Sequence, residues 1–372
     1  MTGLMQEISN RALKLGVPLS VQLDLTYRCN ERCVHCYLDH EDHGEMTTAE
    51  IKNLLDQLAE AGVLFLTLSG GEIMLRKDFF EILEHARELL FSVKLKTNAI
   101  LIREKEAKRL RLLGVHSIQI SIYSACPEVH DAITKVRGSL QRSVNAIRFL
   151  KSQGLNVTIA NALMLQNFRD YPGVKALGEE LGVAVTMDPT ITPKMDGDRS
   201  LLALGLNHSE LVKVFRDESL IGSAEEFCAP PPKVSEDDLD SLPCSAGHTA
   251  CYVSPYGEVY PCVQFPLATG NVRKSKFLDI WHHSPQLNEM RSITLRDMPA
   301  CSQCSHGGSC TRCPGLAYME GNMRGPSSQD CEKSFARTGI PSANLLSRKP
   351  SLPGLVQIQR LPSAARAVAA TS

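Results

Sequence analysis

The sequence predicts an α/β fold built on a parallel sheet and followed by a small cysteine-rich module, on three observations. Strand-like and helix-like runs alternate from Leu19 to about Pro189. Glycines close the helical runs just before the next strand begins. Eight of the thirteen cysteines fall between Cys244 and Cys331, in a stretch with few apolar runs.

Strand-like runs occupy 20–25, 63–68, 92–97, 117–122, 156–162 and 183–187, and helical patterns fill 47–61, 77–90, 103–113, 139–153 and 171–181. Thr47 and Glu50 have the spacing of a capping box, in which each side chain satisfies the other's backbone N–H. Gly62, Gly114, Gly154 and Gly182 stand where helix C-termini need a left-handed residue. Six such units imply right-handed crossovers and a ligand site at the C-terminal ends of the strands. Residues 193–243 differ: one helix is expected near 209–217, and Pro230, Pro231 and Pro232 with the acidic run 236–240 read as a linker. The stretch from Cys244 to Cys331 has too little apolar content for a core of its own, so metals or clusters are expected to organise it. Beyond about Ser334 the chain turns to Pro, Ser, Ala and Arg, a composition expected to be disordered. The expected units are therefore an N-terminal extension 1–18, an α/β core 19–192, a bridging region 193–243, a cysteine-rich domain 244–335 and a tail 336–372.

A length of 372 residues suits about two domains. The net charge of -1, from 40 basic and 41 acidic residues, gives no pull toward nucleic acid or membrane. The first sixteen residues carry Glu7, Arg11 and Lys14 and no apolar signal core. The apolar run 62–68 is far too short to span a bilayer. An odd number of cysteines without a signal peptide argues against a disulfide framework and for metal ligation in a reducing cytoplasm.

The chemistry concentrates in Cys29-x-x-x-Cys33-x-x-Cys36, directly after Leu23 and Leu25. Three thiolates on one loop hold three irons of a [4Fe–4S] cube and leave the fourth iron open to a ligand. Zinc wants four ligands, commonly from C-x2-C pairs, and this spacing suits it poorly. With Tyr27, Arg28 and Tyr37 around it and His35 in its aromatic slot, the motif resembles that of the radical S-adenosylmethionine (SAM) superfamily. The resemblance implies a partial (βα)6 TIM-like barrel, SAM chelated at the open iron, and a 5′-deoxyadenosyl radical that abstracts hydrogen from a substrate. It also implies SAM contacts. Gly70, Gly71 and Glu72 match the element that holds the SAM amino group. Thr97, Asn98 and Ser121, at strand ends, match ribose- and carboxylate-contacting positions. Lys135 or Arg137, after His130-Asp131, would pair with the SAM carboxylate, and Asn161 and Met187 would approach the ribose and adenine.

The later cysteines resemble the SPASM extension of that superfamily, which carries two auxiliary [4Fe–4S] clusters. One set would be Cys244, Cys251, Cys262 and Cys313, the other Cys301, Cys304, Cys310 and Cys331. Two residues separate Cys310 from Cys313, where the usual form has three. A zinc ribbon is the competing reading of the two C-x2-C pairs, though it leaves Cys244, Cys251, Cys262 and Cys331 unexplained. Cys126 and Cys228 match no set, and Trp281 reads as packing.

The resemblance implies a maturase acting on a peptide or protein substrate, supplied with electrons by a reductant such as flavodoxin or ferredoxin. Val263 and Gln264 after Cys262 argue against a sulfatase maturase, which has an aspartate base there. The first strand begins near residue 20, so leader recognition is expected to fall to a separate leader-peptide-binding protein, or the substrate lacks a leader. The alternatives are radical modification of a tetrapyrrole or other small cofactor precursor, and a non-catalytic Fe–S or zinc protein. No residue identifies itself as the catalytic base.

Overall fold

The computed structural model describes residues 3–307 and 310–346. Six strands, β1 (Ser20–Asp24), β2 (Phe65–Ser69), β3 (Ser92–Thr97), β4 (Ser117–Ser121), β5 (Val157–Ala162) and β6 (Ala184–Asp188), pair in parallel in chain order. Helices α1 (Gly3–Leu15), α2 (Thr48–Glu60), α3 (Phe79–Glu88), α4 (Glu104–Leu112), α5 (Pro127–Thr134), α6 (Ser139–Ser152) and α7 (Tyr171–Leu181) precede or connect them. The Thr47 capping box forms at α2. The alternation pattern did not foresee α1 or the eight-residue α5.

Sheets with helices on both faces use strands that are apolar throughout. These strands instead alternate. Val21, Leu23, Leu66, Leu68, Val93, Leu95, Ile118 and Ile120 are buried in the main core with the helices. The register puts Gln22, Thr67 and Lys94 side by side on the opposite face, and Lys96 beside Gln119. One apolar and one polar face is what a rolled sheet needs when helices cover its outside and its lumen receives a polar ligand. At the β6 edge Ala184, Thr186 and Asp188 are exposed, so the partial barrel is open on that side.

The other edge corrects the expectation that the cysteine-rich stretch lacks a core. β7 (Ala250–Val253) pairs in parallel with β1, and β8 (Glu258–Tyr260) and β9 (Gly270–Asn271) continue antiparallel, giving nine strands in one sheet. Val253, Val259, Phe265, Phe277 and Trp281 thereby join the barrel's own core. Trp281 is fully buried, its indole N–H donates to Gly16 O at 2.6 Å, and Arg291 stacks over its ring at 4.3 Å. Trp281→Ala is expected to cost about 3–5 kcal/mol, the range for truncating a buried aromatic. A fall of less than about 1 kcal/mol in chemical denaturation would show that this junction contributes little.

Between barrel and C-terminus, α8 (His208–Phe215) packs with the helix Ser328–Thr338, where Leu206, Leu211, Val214 and Ala336 share a small core. The tail expected to be disordered from 336 thus begins inside a helix, and Ala343–Leu346 adds one more turn. The rest of that tail lies outside the described residues.

Candidate functional site

Two backbone seams hold the cysteine loop after β1. On one side Leu25 N–H donates to Ser69 O, Gly71 N–H to Thr26 O at 2.7 Å and Glu72 N–H to Arg28 O at 2.9 Å. On the other, Arg32 N–H and Val34 N–H donate to Thr134 O and Ile133 O at the end of α5. The glycines make the first seam. A Cβ on Gly70 would lie 2.2 Å from Thr26 O, and one on Gly71 2.3 Å from Arg28 O. The close approach these residues permit is therefore to the cysteine loop itself, and both also line the cavity above it.

That cavity, about 210 Å³, is lined by Cys29, Cys33, Cys36, His35, Gly70, Gly71, Thr97, Asn98 and Ser121. It gathers residues from the cysteine loop and the ends of β2, β3 and β4. Glu31, Tyr37, Leu38, His40, Ser69, Lys96 and Tyr123 line it too, and the motif comparison named none of them as SAM contacts. Asn98 Nδ2 donates to Asn30 Oδ1 at 2.7 Å and lies 3.7 Å from Cys29 Sγ, tying β3 to the loop. Tyr123 meets the His35 ring edge-on at 4.7 Å.

Two sets of expected SAM contacts lie outside this lining. Glu72 does not line the cavity: it is fully buried beneath it, and its carboxylate accepts from Thr97 Oγ1, Asn98 N and Met74 N at 2.8–2.9 Å. Its oxygens hold the turn after β2 against the end of β3. Lys135 and Arg137 are both exposed and outside the lining. Lys135 sits left-handed (φ 61°) at the end of α5. The motif before them holds local structure. His130 Nδ1 accepts from Tyr123 N, and Asp131 accepts from Ser139 Oγ and Leu140 N at the start of α6. Among the described residues the cation on the cavity wall is Lys96. Asn161, also read as a ribose contact, is buried and donates to Ile122 O.

The cavity's chemistry fits a cluster with a polar ligand. Glu31 Oε1, His35 Nδ1 and His40 Nδ1 are buried atoms without a hydrogen-bond partner. Burial holds His35 down at about 4, neutral at physiological pH, and raises Glu31 to about 7 against the hydrogen bond from Cys33. Three thiols, a carboxylate with one oxygen unpartnered and two neutral imidazoles around one opening offer iron ligands together with partners for ammonium, carboxylate and hydroxyl groups.

Deeper in the lumen, Lys96 Nζ donates to Gln22 Oε1 at 2.9 Å, and Gln22 Nε2 and Tyr252 OH donate to Asp24 at 3.1 Å each. The Tyr27 and Tyr252 hydroxyls are 2.6 Å apart. Asp24 is fully buried, and burial raises its pKa to about 6 despite these donors and the Lys96 charge. The native state therefore keeps a proton between about pH 4 and 6 that the unfolded chain releases. Its contribution to stability is fullest below that window and is lost as pH rises through it, at most about 3 kcal/mol for two pKa units. Asp24→Asn mimics the protonated acid. It is expected to flatten the pH dependence of urea unfolding between pH 4.5 and 7.5 and to raise stability at the upper end. An unchanged slope would refute this.

The C-terminal cysteines form two groups. Cys244, Cys262 and Cys313 lie close enough for their charges to act on one another, and Cys251, buried on β7, responds to Cys262. Cys301, Cys304, Cys310 and Cys331 ring a cavity of about 120 Å³. Among the described residues no three His, Cys, Asp or Glu side chains converge tightly enough to hold a single metal ion. Cys126 and Cys228 stand apart, their thiols on Glu128 Oε2 and Phe215 O.

A rolled parallel sheet with a three-cysteine loop at its mouth defines a SAM-cleaving iron–sulfur enzyme, and comparison with known proteins agrees. The family model of the radical SAM superfamily matches residues 23–172, and that of the SPASM iron–sulfur cluster-binding domain matches 244–305. PqqA peptide cyclase of Xanthomonas campestris pv. campestris is 31% identical over 370 residues, covering 91% of this chain and 96% of the relative. An AdoMet-dependent heme synthase of Methanosarcina barkeri is 28% identical over 327 residues, 82% of this chain and 93% of the relative. Among solved structures, Streptococcus suis SuiB bound to its precursor peptide SuiA superposes with a TM-score of 0.68 at 18% identity, over 87% of this chain and 80% of that one. That likeness is one of fold. The chain belongs to the radical SAM superfamily, in the group with a C-terminal SPASM domain. It is an enzyme that uses SAM and iron–sulfur clusters, and no helix among the described residues is long and apolar enough to cross a membrane.

Proposed function

We propose that this enzyme modifies a peptide or protein substrate, oxidising or crosslinking it, with one cluster at Cys29, Cys33 and Cys36 and two auxiliary clusters on the C-terminal quartets. The observation that carries the reading is the likeness to PqqA peptide cyclase along nearly the whole of both chains. When bound, SAM and its cluster supply the 5′-deoxyadenosyl radical that takes a hydrogen atom from the substrate. The protein's part is to orient and to exclude water. The open β6 edge admits a chain-like substrate, and Gln22, Lys96 and Tyr252 present polar groups toward the lumen below the cysteine loop. Gly70, Gly71, Thr97, Asn98 and Ser121 would hold SAM, with Lys96 in the cationic role once assigned to Lys135 or Arg137. The electron left on the substrate would pass to the auxiliary clusters. A flavodoxin or ferredoxin would reduce the first cluster, and a separate protein would present the leader.

The test is mass spectrometry of short peptides encoded beside the gene after incubation with reconstituted enzyme, SAM and reductant. A loss of two hydrogens or a new crosslink supports the reading. SAM turnover with every peptide unchanged defeats it. The heme synthase relatives favour a second reading, modification of a tetrapyrrole, and a porphyrin that copurifies and is altered on SAM turnover would establish that one instead.

A further inference from the structure

The C-terminal region contains a buried cation that the reaction as described does not use. Arg312 stands between Cys310 and Cys313, which fall in different quartets. It is only 8% exposed. Its Nε donates to Gly325 O at 2.7 Å and its Nη2 to Met323 O, so the backbone of that loop fixes the guanidinium. The remaining nitrogen, Nη1, is buried without a partner, and Arg312 lines the cavity ringed by Cys301, Cys304, Cys310 and Cys331.

The other charged side chain on this cavity wall, Asp330, is already matched: Cys313 N–H donates to it at 2.8 Å and Lys333 Nζ pairs with it at 2.8 Å. The backbone carbonyls that accept from Arg312 offset little of its charge, and the side chain it meets is Cys301, itself a member of the quartet. A buried guanidinium without a counter-ion is costly, and an anionic thiolate-ligated cluster in the adjoining cavity supplies the missing negative charge. Net charge and hydrogen bonds to sulfur are what set cluster potentials. The two quartets also differ in position. Cys251 of the first sits on β7 beside β1 and Cys262 packs against the barrel's core, whereas the second rings the cavity that Arg312 lines.

We propose that Arg312 raises the reduction potential of the cluster on Cys301, Cys304, Cys310 and Cys331, making it the preferred resting place of an electron that enters through the Cys262 quartet. In the step itself the barrel-side cluster loses one electron and the outer cluster gains it, and no bond is made or broken. The inference rests on the two-cluster reading of the C-terminal domain.

The test is a redox titration of the full-length reconstituted enzyme followed by electron paramagnetic resonance, without substrate. Wild type is compared with Arg312→Lys, which keeps the charge, and Arg312→Gln, which removes it. Arg312→Gln is expected to lower the reduced-to-oxidised ratio of one cluster at least tenfold at fixed potential, about 59 mV for a one-electron couple. Arg312→Lys should stay near wild type. Equal shifts in Lys and Gln, or none in Gln, would overturn the proposal. Should Arg312→Gln lose iron, Asp330→Asn decides: removing that negative charge must move the same cluster upward, and no movement refutes the charge mechanism. About four irons per wild-type chain would overturn the two-cluster reading, and this proposal with it, before any variant is compared.

Discussion

Serine at Cys36 will abolish reductive SAM cleavage while leaving most of the iron in place. On the three-cluster reading the reconstituted wild-type chain should hold about twelve irons and the variant about eight, because each C-terminal quartet would keep its own four. The loss of SAM cleavage should exceed about 100-fold, since removing outer-shell partners alone costs 10–100-fold in such sites. Cys304→Ser makes the converse case: four irons gone and SAM cleavage retained. Anaerobic iron and sulfide analysis beside 5′-deoxyadenosine release separates the two. If Cys36→Ser kept full cleavage, the loop would not be the SAM site. If it lost all iron, the clusters would not be independent. Zinc in place of the outer eight irons would make the C-terminal domain a structural module and overturn its proposed electron-acceptor role.

The barrel was legible because local signals and tertiary outcome coincide there. Gly62, Gly114, Gly154 and Gly182 all take positive φ between a helix and the next strand. The same alternation that marked the strands also placed Lys96 on the lumen face, a signal that could have nominated it as the cavity cation. Lys135 and Arg137 stood out instead because charge in sequence says nothing about which way a loop turns. The burial of Glu72 was hidden for a related reason. A carboxylate beside two glycines looks available for a ligand, and only the fold reveals that Thr97 and Asn98 at the end of β3 converge on it beside Met74 N of its own turn. The extension of the sheet by β7 was hidden because four residues, Ala250–Val253, are too few to register as a strand. They become one only because β1 offers an unpaired edge. Tyr123 and His40 reach the cavity through contacts distant in sequence, which no local pattern carries.

Gly71→Ala is the substitution that tests how the cavity is built. Gly71 is not among the positive-φ glycines, so alanine brings no backbone penalty of that kind. What it brings is a methyl group 2.3 Å from Arg28 O and 2.7 Å from Tyr27 O, both backbone atoms that cannot swing aside as a side chain would. The β2 turn and the cysteine loop must separate, which breaks the bonds from Gly71 N to Thr26 O and from Glu72 N to Arg28 O. Overpacking of this kind costs about 1–3 kcal/mol, and each broken bond adds about 1 kcal/mol. The larger effect falls on chemistry, because separation moves Cys29 relative to Gly70 and Asn98, the groups that frame the cavity. SAM cleavage should drop by at least about 100-fold, in keeping with the sensitivity of catalysis to an ångström-scale displacement. Gly154→Ala supplies the contrast. Its φ is +69° with open space around it, so it should cost about 1–2 kcal/mol of stability and leave SAM cleavage intact. Should Gly71→Ala cleave SAM within threefold of wild type, the seam between β2 and the cysteine loop would not be what shapes the SAM site.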